Sequence, residues 1–243
     1  MRLSRVFVAA PLTPGGRVAL TGSAAAHVTR VLRLRAGSPL TLFNGGGSEF
    51  AGRIHAVRGG EVTVLVGEEH EIRRESPLAL TLAQGVSRGE RMDLVVQKAT
   101  ELGATRLVPV LTERSVVRLD DKQSERKLSH WRAIAIAACE QSGRNRPPEL
   151  AAPLPLAEFL ASDPGESTRL LLSPSSRLRI PDVPRPAGAV TVLIGPEGGL
   201  TEEEQERAIA AGFIGVRLGP RVLRTETAAL AALALLQREF GDL

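Results

Sequence analysis

Residues 190–204 read VTVLIGPEGGLTEEE, and this stretch decides the class of fold. It begins with a short, continuous apolar run, which is typical of a strand buried on both faces of a parallel sheet. The run passes directly into glycines, a proline and Glu197. Thr201 and Glu204 then form a capping box, so a helix is predicted to begin there and to end at Gly212. A glycine-rich loop of this kind approaches a partner closely, and a phosphate, a nucleoside or another backbone segment would each fit.

A second loop, in RLGPRVLRTETAAL (217–230), has the same organisation. Gly219 and Pro220 break the apolar strand GVRL (215–218), and polar side chains precede the last helix: Arg221, Arg224, Thr225, Glu226 and Thr227. The carboxyl ends of parallel strands lie at one edge of the sheet, so we expect the two loops side by side. Ligands bind at that edge in open α/β sheets.

Residues 76–243 alternate apolar runs with helical segments, which predicts an α/β domain with a parallel sheet covered on both faces. Further strands are predicted at residues 78–84, 106–110 and 168–172. Helices are predicted from about Glu90 to Leu102, through HWRAIAIAACEQ to Gly143, and over residues 227–240. The last of these has one apolar face, which suits the core or a subunit contact. Two segments dense in polar groups are predicted to join the site: QKATELG (97–103) and CEQSGRNRPP (139–148).

The first 75 residues follow a different pattern. Short apolar runs separated by PGG, NGGG and RGG predict strands joined by turns, with one helix at 24–34 whose N-cap is Ser23. The charged run 68–77 places a domain boundary near residue 75.

Positive charge is concentrated in this first part of the chain. Residues 1–75 carry ten basic and six acidic side chains, whereas residues 76–243 have no net charge. Residues 1–48 contain no Asp or Glu and six arginines: Arg2, Arg5, Arg17, Arg30, Arg33 and Arg35. Because guanidinium groups pair phosphates bidentately, this stretch favours a nucleic-acid surface over a merely solvated one.

Several kinds of site are excluded by residue type and spacing. No apolar run approaches the ~18 residues of a membrane span. Cys139 is the sole cysteine, which excludes an intramolecular disulfide and suggests a reducing, cytoplasmic setting. The four histidines lack metal-ligand spacing, and IGPEGG lacks the lysine of a phosphate loop. Glu197 would repel a pyrophosphate, so the loop suits a neutral or cationic ligand.

Five motifs together resemble the RsmE-type 16S rRNA uridine-N3 methyltransferases of the SPOUT superfamily: IGPEGGLTEEE, LGPRVLRTETAALAAL, RMDLVVQKATELG, CEQSGR and HVTRVLR. The resemblance runs from Arg5 to the last helix and is weakest over residues 144–190. It implies a PUA-like RNA-binding β-barrel over residues 1–75. For residues 76–243 it implies a SPOUT methyltransferase domain with a C-terminal trefoil knot.

The resemblance also implies that the knot loops bind S-adenosylmethionine, without a metal. The implied cofactor-binding residues are Leu172, Ser173, Ile194, Gly195, Pro196, Gly198, Gly199, Leu218, Gly219, Leu223 and Thr225. It further implies a cytoplasmic homodimer that acts on 16S rRNA or the small ribosomal subunit and has no membrane association.

Methyl transfer to N3 of uracil requires removal of the N3 proton and stabilisation of the resulting anion. Arg224 is the predicted stabilising group. Glu197 and Glu226 are the candidates for proton removal or for fixing Arg224, with capping of a helix N-terminus as the alternative role of each. Arg5, Arg30 and Arg33 are predicted to orient the RNA.

Two other functions remain open at the level of sequence. A SPOUT ribose 2′-O-methyltransferase acting on rRNA or tRNA would share the knot, although LRTET differs from the third-loop motif usual in those enzymes. A non-catalytic RNA-binding protein would use the glycine loops only for its structure and would not bind S-adenosylmethionine.

Overall fold

Two units make up the fold in the computed structural model, which describes residues 3–115, 120–162 and 165–243. The first unit contains Met1–Glu75 together with Cys139–Pro147. The second contains Ser76–Ala138 together with Pro148–Leu243.

The first unit is built on a five-stranded sheet with the order β1-β3-β4-β5-β2. Its strands are β1 (Arg5–Phe7), β2 (Arg17–Leu20), β3 (Pro39–Phe43), β4 (Ser48–Arg58) and β5 (Glu61–Glu71). Only the β1–β3 pair is parallel among these neighbours. Gly59 and Gly60 both have positive φ, which matches the two-residue turn that joins twisted hairpin strands. Buried side chains alternate with exposed ones along β4 and β5, as the apolar runs predict.

Two details of the first unit differ from the prediction. β5 continues through Glu71, which pairs with Ser48. The first residues of the charged run 68–77, which was predicted to separate the domains, therefore lengthen this strand. The predicted helix begins earlier, as α1 (Gly22–Ala26), and continues as a π-helical turn, His27–Val31. The Ser23 N-cap is therefore wrong: Thr21 has the extended backbone of an N-cap residue, and Ser23 already lies within the helix.

The second unit contains an eight-stranded sheet, counted over the described ranges, with the path β11-β13-β10-β12-β6-β7-β8 and β9 paired to β7. Its strands are β6 (Leu80–Gly85), β7 (Arg106–Leu111), β8 (Glu149–Leu150), β9 (Leu154–Pro155), β10 (Ser167–Leu172), β11 (Leu178–Arg179), β12 (Ala189–Ile194) and β13 (Ile214–Arg217). The described pairs are parallel, as predicted. Adjacent residues such as Val192 and Leu193 belong to different apolar clusters, so both faces of the sheet are covered.

Within the described ranges, five α-helices lie between or after these strands in the sequence: α2 (Glu90–Glu101), α3 (Asp121–Ser142), α4 (Leu156–Ala161), α5 (Glu202–Ala210) and α6 (Thr225–Phe240). The predicted capping box of α5 is confirmed, because the Glu204 amide donates to Thr201 Oγ1 and the Thr201 amide donates to Glu204 Oε2. α6 packs against α2, and Ala229, Ala232 and Leu233 are fully buried. No helix in the described part of the chain is long and apolar enough to cross a bilayer.

The order of the strands brings three loops to one place. β10 lies between β12 and β13, and all three run in the same direction. Their carboxyl ends, at Leu172, Ile194 and Arg217, therefore meet at one edge of the sheet. The two glycine-rich loops lie at the same edge, as predicted, but they are not side by side, because β10 and its loop lie between them.

Candidate active site

A cavity of about 530 Å³ opens at this edge, entirely within the second unit. Each predicted cofactor-binding residue lines it: Leu172, Ser173, Ile194, Gly195, Pro196, Gly198, Gly199, Leu218, Gly219, Leu223 and Thr225. The three predicted catalytic residues, Arg224, Glu197 and Glu226, line it as well. Residues far apart in sequence thus converge on one cavity because their strands end at one edge.

Glycine is required where the loop after β12 packs on neighbouring backbone. A Cβ atom on Gly85 would lie 2.4 Å from the Pro196 nitrogen, and one on Gly195 would lie 2.9 Å from the Leu200 nitrogen. The loop closes with a 2.8 Å hydrogen bond from the Gly199 amide to the Pro196 carbonyl, and Gly199 has φ +69°. Side chains at these positions would push the loop out of its place.

A buried polar link joins the loop after β12 to the beginning of α6. Thr225 Oγ1 donates to the Gly195 carbonyl (2.7 Å), and Gln84 Nε2 donates to Thr225 Oγ1 (2.9 Å). Gln84 and Thr225 are 1% and 6% exposed. Buried hydrogen bonds of this kind hold two walls of the cavity in register.

The loop after β10 is held by α5. Ser173 Oγ donates to Gln205 Oε1 at 2.9 Å, and Gln205 Nε2 donates to the Leu200 carbonyl at 3.3 Å. Gln205 also lines the cavity. The loop after β10 is therefore tied to α5, the helix that follows the loop after β12.

Glu197 is fixed at the cavity by α2. Its Oε1 accepts from the Arg88 amide (3.0 Å) and from Arg91 Nη1 (2.8 Å). Partial burial works to raise the pKa of Glu197. Hydrogen bonds from its own backbone amide, from the Arg88 amide and from Arg91 outweigh that effect and hold this pKa below its ordinary value. Glu197 is thus an engaged, ionised side chain.

Glu226 has a different environment. Its Oε1 lies 4.0 Å from Arg91 Nε, whereas its Oε2 is buried without a hydrogen-bond partner in the described structure. Arg224, at the N-cap of α6, is exposed and lines the same cavity. The Arg224 guanidinium has no ion-pair partner within the described ranges. One carboxylate oxygen and one guanidinium are therefore left for a ligand.

Comparison with known proteins identifies the family. A model described as an RNA methyltransferase domain matches residues 74–237, and a model described as an RNA methyltransferase PUA domain matches residues 20–66. The chain belongs to the RNA methyltransferase family. The predicted family is confirmed, as are the PUA domain of the first unit and the α/β class of the second. The trefoil knot stays a prediction.

Relatives within the family are similar over nearly the whole chain. The chain is 33% identical to the ribosomal RNA small subunit methyltransferase E of Buchnera aphidicola from Schizaphis graminum, covering 100% of this chain and 98% of the relative. A relative of the same name from Bacillus subtilis is 34% identical, with 88% and 87% covered.

Two solved structures are similar over their full length. A methyltransferase from Legionella pneumophila, in complex with the cofactor SAM, has a TM-score of 0.96 and 42% identity, with 100% of both chains covered. Ribosomal RNA small subunit methyltransferase E from Neisseria gonorrhoeae, bound to S-adenosyl methionine, has a TM-score of 0.93 and 39% identity, again with 100% of both chains covered.

Sequence reasoning missed Arg91 as a cavity residue. It lies in the family motif RMDLVVQKATELG, at the beginning of α2. The signal was its position: β6 ends at Gly85 on the same edge as the three loops, so the first turn of the following helix faces that edge. The missed Gln84 is the last polar residue of β6 and has the same explanation.

The two polar segments predicted to join the site do not line the cavity. In residues 97–103, the Leu102 carbonyl instead accepts from Gln237 Nε2 of α6 at 2.9 Å. Cys139–Pro147 belongs to the first unit, where Arg144 Nη2 donates to Glu75 at 2.7 Å. Burial raises the pKa of the Cys139 thiol to about 12, so this cysteine is protonated and packs as a small apolar side chain.

The predicted RNA contacts have different environments. Arg5 is 7% exposed, hydrogen-bonded to Glu49 and Asn145, and stacked 4.8 Å from the Phe43 ring centroid. The RNA contact of Arg5 stays a prediction, and its guanidinium is already paired with Glu49 inside the first unit. Arg30 and Arg33 are exposed, and Arg2 lies outside the described residues.

The described residues contain no group of three or more His, Cys, Asp or Glu side chains placed to hold a metal ion.

Proposed function

We propose that the protein methylates N3 of a uridine in 16S rRNA of the small ribosomal subunit, with S-adenosylmethionine as the methyl donor. The observation that carries this proposal is the convergence of every residue in the implied cofactor and catalytic sets on one cavity. Two relatives, similar over their full length, were crystallised with S-adenosylmethionine.

The cavity fits this co-substrate. Its volume lies within the ~300–1,000 Å³ that small-molecule sites occupy. Its glycine-rich wall offers backbone amides and carbonyls, which suit adenine and ribose, and its carboxylates suit a cationic sulfonium. When bound, S-adenosylmethionine supplies the methyl group and leaves as a neutral thioether.

We assign proton removal to Glu226 rather than to Glu197. Oε2 of Glu226 is buried beside the cavity without a hydrogen-bond partner in the described structure, so it has a free lone pair for the N3 proton. Glu197 already accepts hydrogen bonds from Arg88 and Arg91, and its lowered pKa reduces its basicity. Glu197 then acts as a positioning residue that holds its loop on α2.

Arg224 is assigned to the uracil anion. Removal of the N3 proton leaves negative charge shared with the ring carbonyl oxygens, and an exposed guanidinium at the cavity stabilises that charge. Substitution of Arg224 by alanine should lower the methylation rate by about 10²–10³-fold, the usual effect of removing such a donor. Methylation at the normal rate would contradict this assignment.

N3 lies on the Watson–Crick edge, so the target uridine must be unpaired or flipped when it enters the cavity. Arg30 and Arg33 of the first unit are assigned to the RNA backbone. Their exposure and the acid-free sequence around them support that role.

We also propose a cytoplasmic homodimer with a trefoil-knotted second unit. Leu235 on α6 and Leu94 on α2 are 38% and 39% exposed, which supports an apolar contact between subunits. Light scattering that gives the mass of one chain would contradict the dimer.

One experiment tests the activity. Unmodified small subunits and naked 16S rRNA are incubated with the protein and labelled S-adenosylmethionine, and the RNA is then digested to nucleosides. Labelled 3-methyluridine is the expected product, and the two substrates show which form is recognised. A 2′-O-methylated nucleoside would assign the other SPOUT reaction. No S-adenosylmethionine binding by calorimetry would assign a non-catalytic RNA-binding protein.

A further inference from the structure

The segment between α1 and β3 has an unusual backbone. Within residues 27–35, here named the arginine turn, the Leu32 amide donates to the His27 carbonyl at 2.9 Å. The Leu34 amide donates to the Val28 carbonyl at 3.0 Å. These bonds widen the helix into a π turn and then end it. Short π segments are frequent at functional sites.

Arg33 is strained within this turn. It has φ 54° and is the one non-glycine residue with positive φ in the part of the chain that the structure describes. At the end of a helix this left-handed position is usually filled by glycine, which has no Cβ to clash. An arginine here costs stability, and strained positions of this kind cluster at functional sites.

Exposure divides the turn into two faces. Leu32 and Leu34 are partly buried and pack against the apolar core of the first unit. The side chains between and beside them are exposed: Arg30, Val31, Arg33 and Arg35. Val31 is 67% exposed, and the three arginines have no ion pair with any described residue. The turn therefore presents an apolar side chain surrounded by unpaired positive charge.

We propose that the arginine turn grips unpaired RNA, with Val31 packed against a nucleobase and the arginines on the flanking phosphates. The proposal rests on the proposed RNA substrate and specifies how the first unit holds it. An apolar protein partner would not match three neighbouring guanidiniums. Apolar contact with an unstacked base and charge pairing with phosphates together explain both features.

Substitution of Arg33 by glycine separates this role from a structural one. Glycine relieves the backbone strain, so the melting temperature should rise by about 2–4 °C. Affinity for an unmodified 16S rRNA fragment, measured by fluorescence anisotropy, should fall several-fold. The slope of log K against log salt should become shallower by about 0.7–0.9 for the lost phosphate contact. In methylation assays the change should appear in the KM for RNA.

Val31→Ser is the second variant. Because Val31 is exposed, this variant should keep the melting temperature while RNA affinity falls several-fold, with an unchanged salt slope. Arg58→Ala is the matched control: Arg58 is an exposed arginine of the same unit, outside the acid-free stretch and opposite Glu61 in the β-ladder. It should change RNA affinity by less than about twofold.

Three results would overturn the proposal. One is wild-type affinity and salt slope in Arg33→Gly. Another is a lower melting temperature in that variant, which would give the arginine a folding role. The third is unchanged RNA affinity in Val31→Ser, which would remove the valine from the RNA contact; an altered molar mass of that variant by light scattering would assign the surface to a protein partner. Wild-type protein that neither binds RNA nor methylates it would contradict the proposed function instead.

Discussion

The cavity of the second unit and the arginine turn of the first both contain residues with positive φ, but the residue types differ. Both need the left-handed conformation. At the cavity it is adopted by Gly199 and Gly219, with φ +69° and +113°, and in the turn by Arg33. Glycine has no side chain, so a ligand can approach its backbone closely. Arginine is strained in this conformation, but its side chain carries a positive charge. The backbone itself is the binding surface in one region and the side chain in the other.

The two regions also differ in how their charges are paired. At the cavity, Arg91 is hydrogen-bonded to Glu197 and lies near Glu226, whereas Arg224 has no ion-pair partner within the described ranges. In the turn, the arginines have no carboxylate partner among the described residues. Substitutions at the cavity should therefore disturb chemistry or lower stability, whereas substitutions in the turn should lower RNA affinity without lowering stability.

The largest effect that would test this division is expected from Glu226→Gln. The amide cannot accept the N3 proton, so kcat should fall by about 10²–10⁴-fold, the usual contribution of a general base. Single-turnover methylation at saturating S-adenosylmethionine measures the rate, which separates the chemical step from any change in co-substrate affinity. Glu202→Gln, an exposed carboxylate in the first turn of α5, is the matched control and should have the wild-type rate. An unchanged rate in Glu226→Gln would remove Glu226 from the mechanism.

Gly85→Ala should have the largest effect on stability. Its methyl group would overlap the backbone at Pro196, so β6 and the cavity loop must separate, at a cost of about 3 kcal/mol. Urea unfolding measures the loss. In Gly60→Ala the added methyl meets open space, and only the positive φ adds strain, about 1 kcal/mol. Equal losses in the two variants would show that the overlap at Gly85 relaxes without cost.

Particular residues show how far the sequence could predict this structure. The two glycine-rich loops of the cavity were predicted because strand, glycine loop and capping box are local patterns and because parallel strands end at one edge, whereas the loop after β10 was implied only by the family resemblance. The buried role of Arg5 was not predictable. Its partner Glu49 lies on a different strand, β4, and Asn145 is 140 residues away in sequence. A local pattern does not distinguish a solvent-exposed arginine from one neutralised by a distant carboxylate.

The left-handed backbone conformation of Arg33 was not predictable from the sequence either. The acid-free composition predicted its charge to be functional, but the helix pattern continued through it to Leu34. The π turn and the left-handed residue depend on how Leu32 and Leu34 pack on the core of the first unit. Tertiary packing, rather than propensity, ended this helix.

Thr225→Val tests the buried hydrogen bonds that join two walls of the cavity. The substitution keeps the shape but removes the hydroxyl that donates to Gly195 and accepts from Gln84, leaving buried polar groups without partners. The free energy of unfolding should fall by about 1–3 kcal/mol, and S-adenosylmethionine affinity should weaken. Thr227→Val makes the same change at an exposed position of the same helix turn and should be nearly neutral. Similar unfolding curves for the two variants would show that the hydroxyl link contributes nothing.

The smallest effect concerns the pH dependence of the Glu197–Arg91 pair. The pKa of Glu197 is lowered in the folded protein, so its stabilising contribution is present above its ordinary value of 4.5 and is lost as pH falls through the folded value. Both side chains are partly exposed, which limits this contribution to less than about 1 kcal/mol. Glu197→Gln should therefore be slightly less stable than wild type at neutral pH in urea unfolding, and the difference should disappear in acid. Glu202→Gln should show no such pH-dependent difference. A difference for Glu197→Gln that stayed constant into acid would mean that the glutamine loses packing rather than charge, and the contrast between paired and unpaired arginines would lose its electrostatic basis.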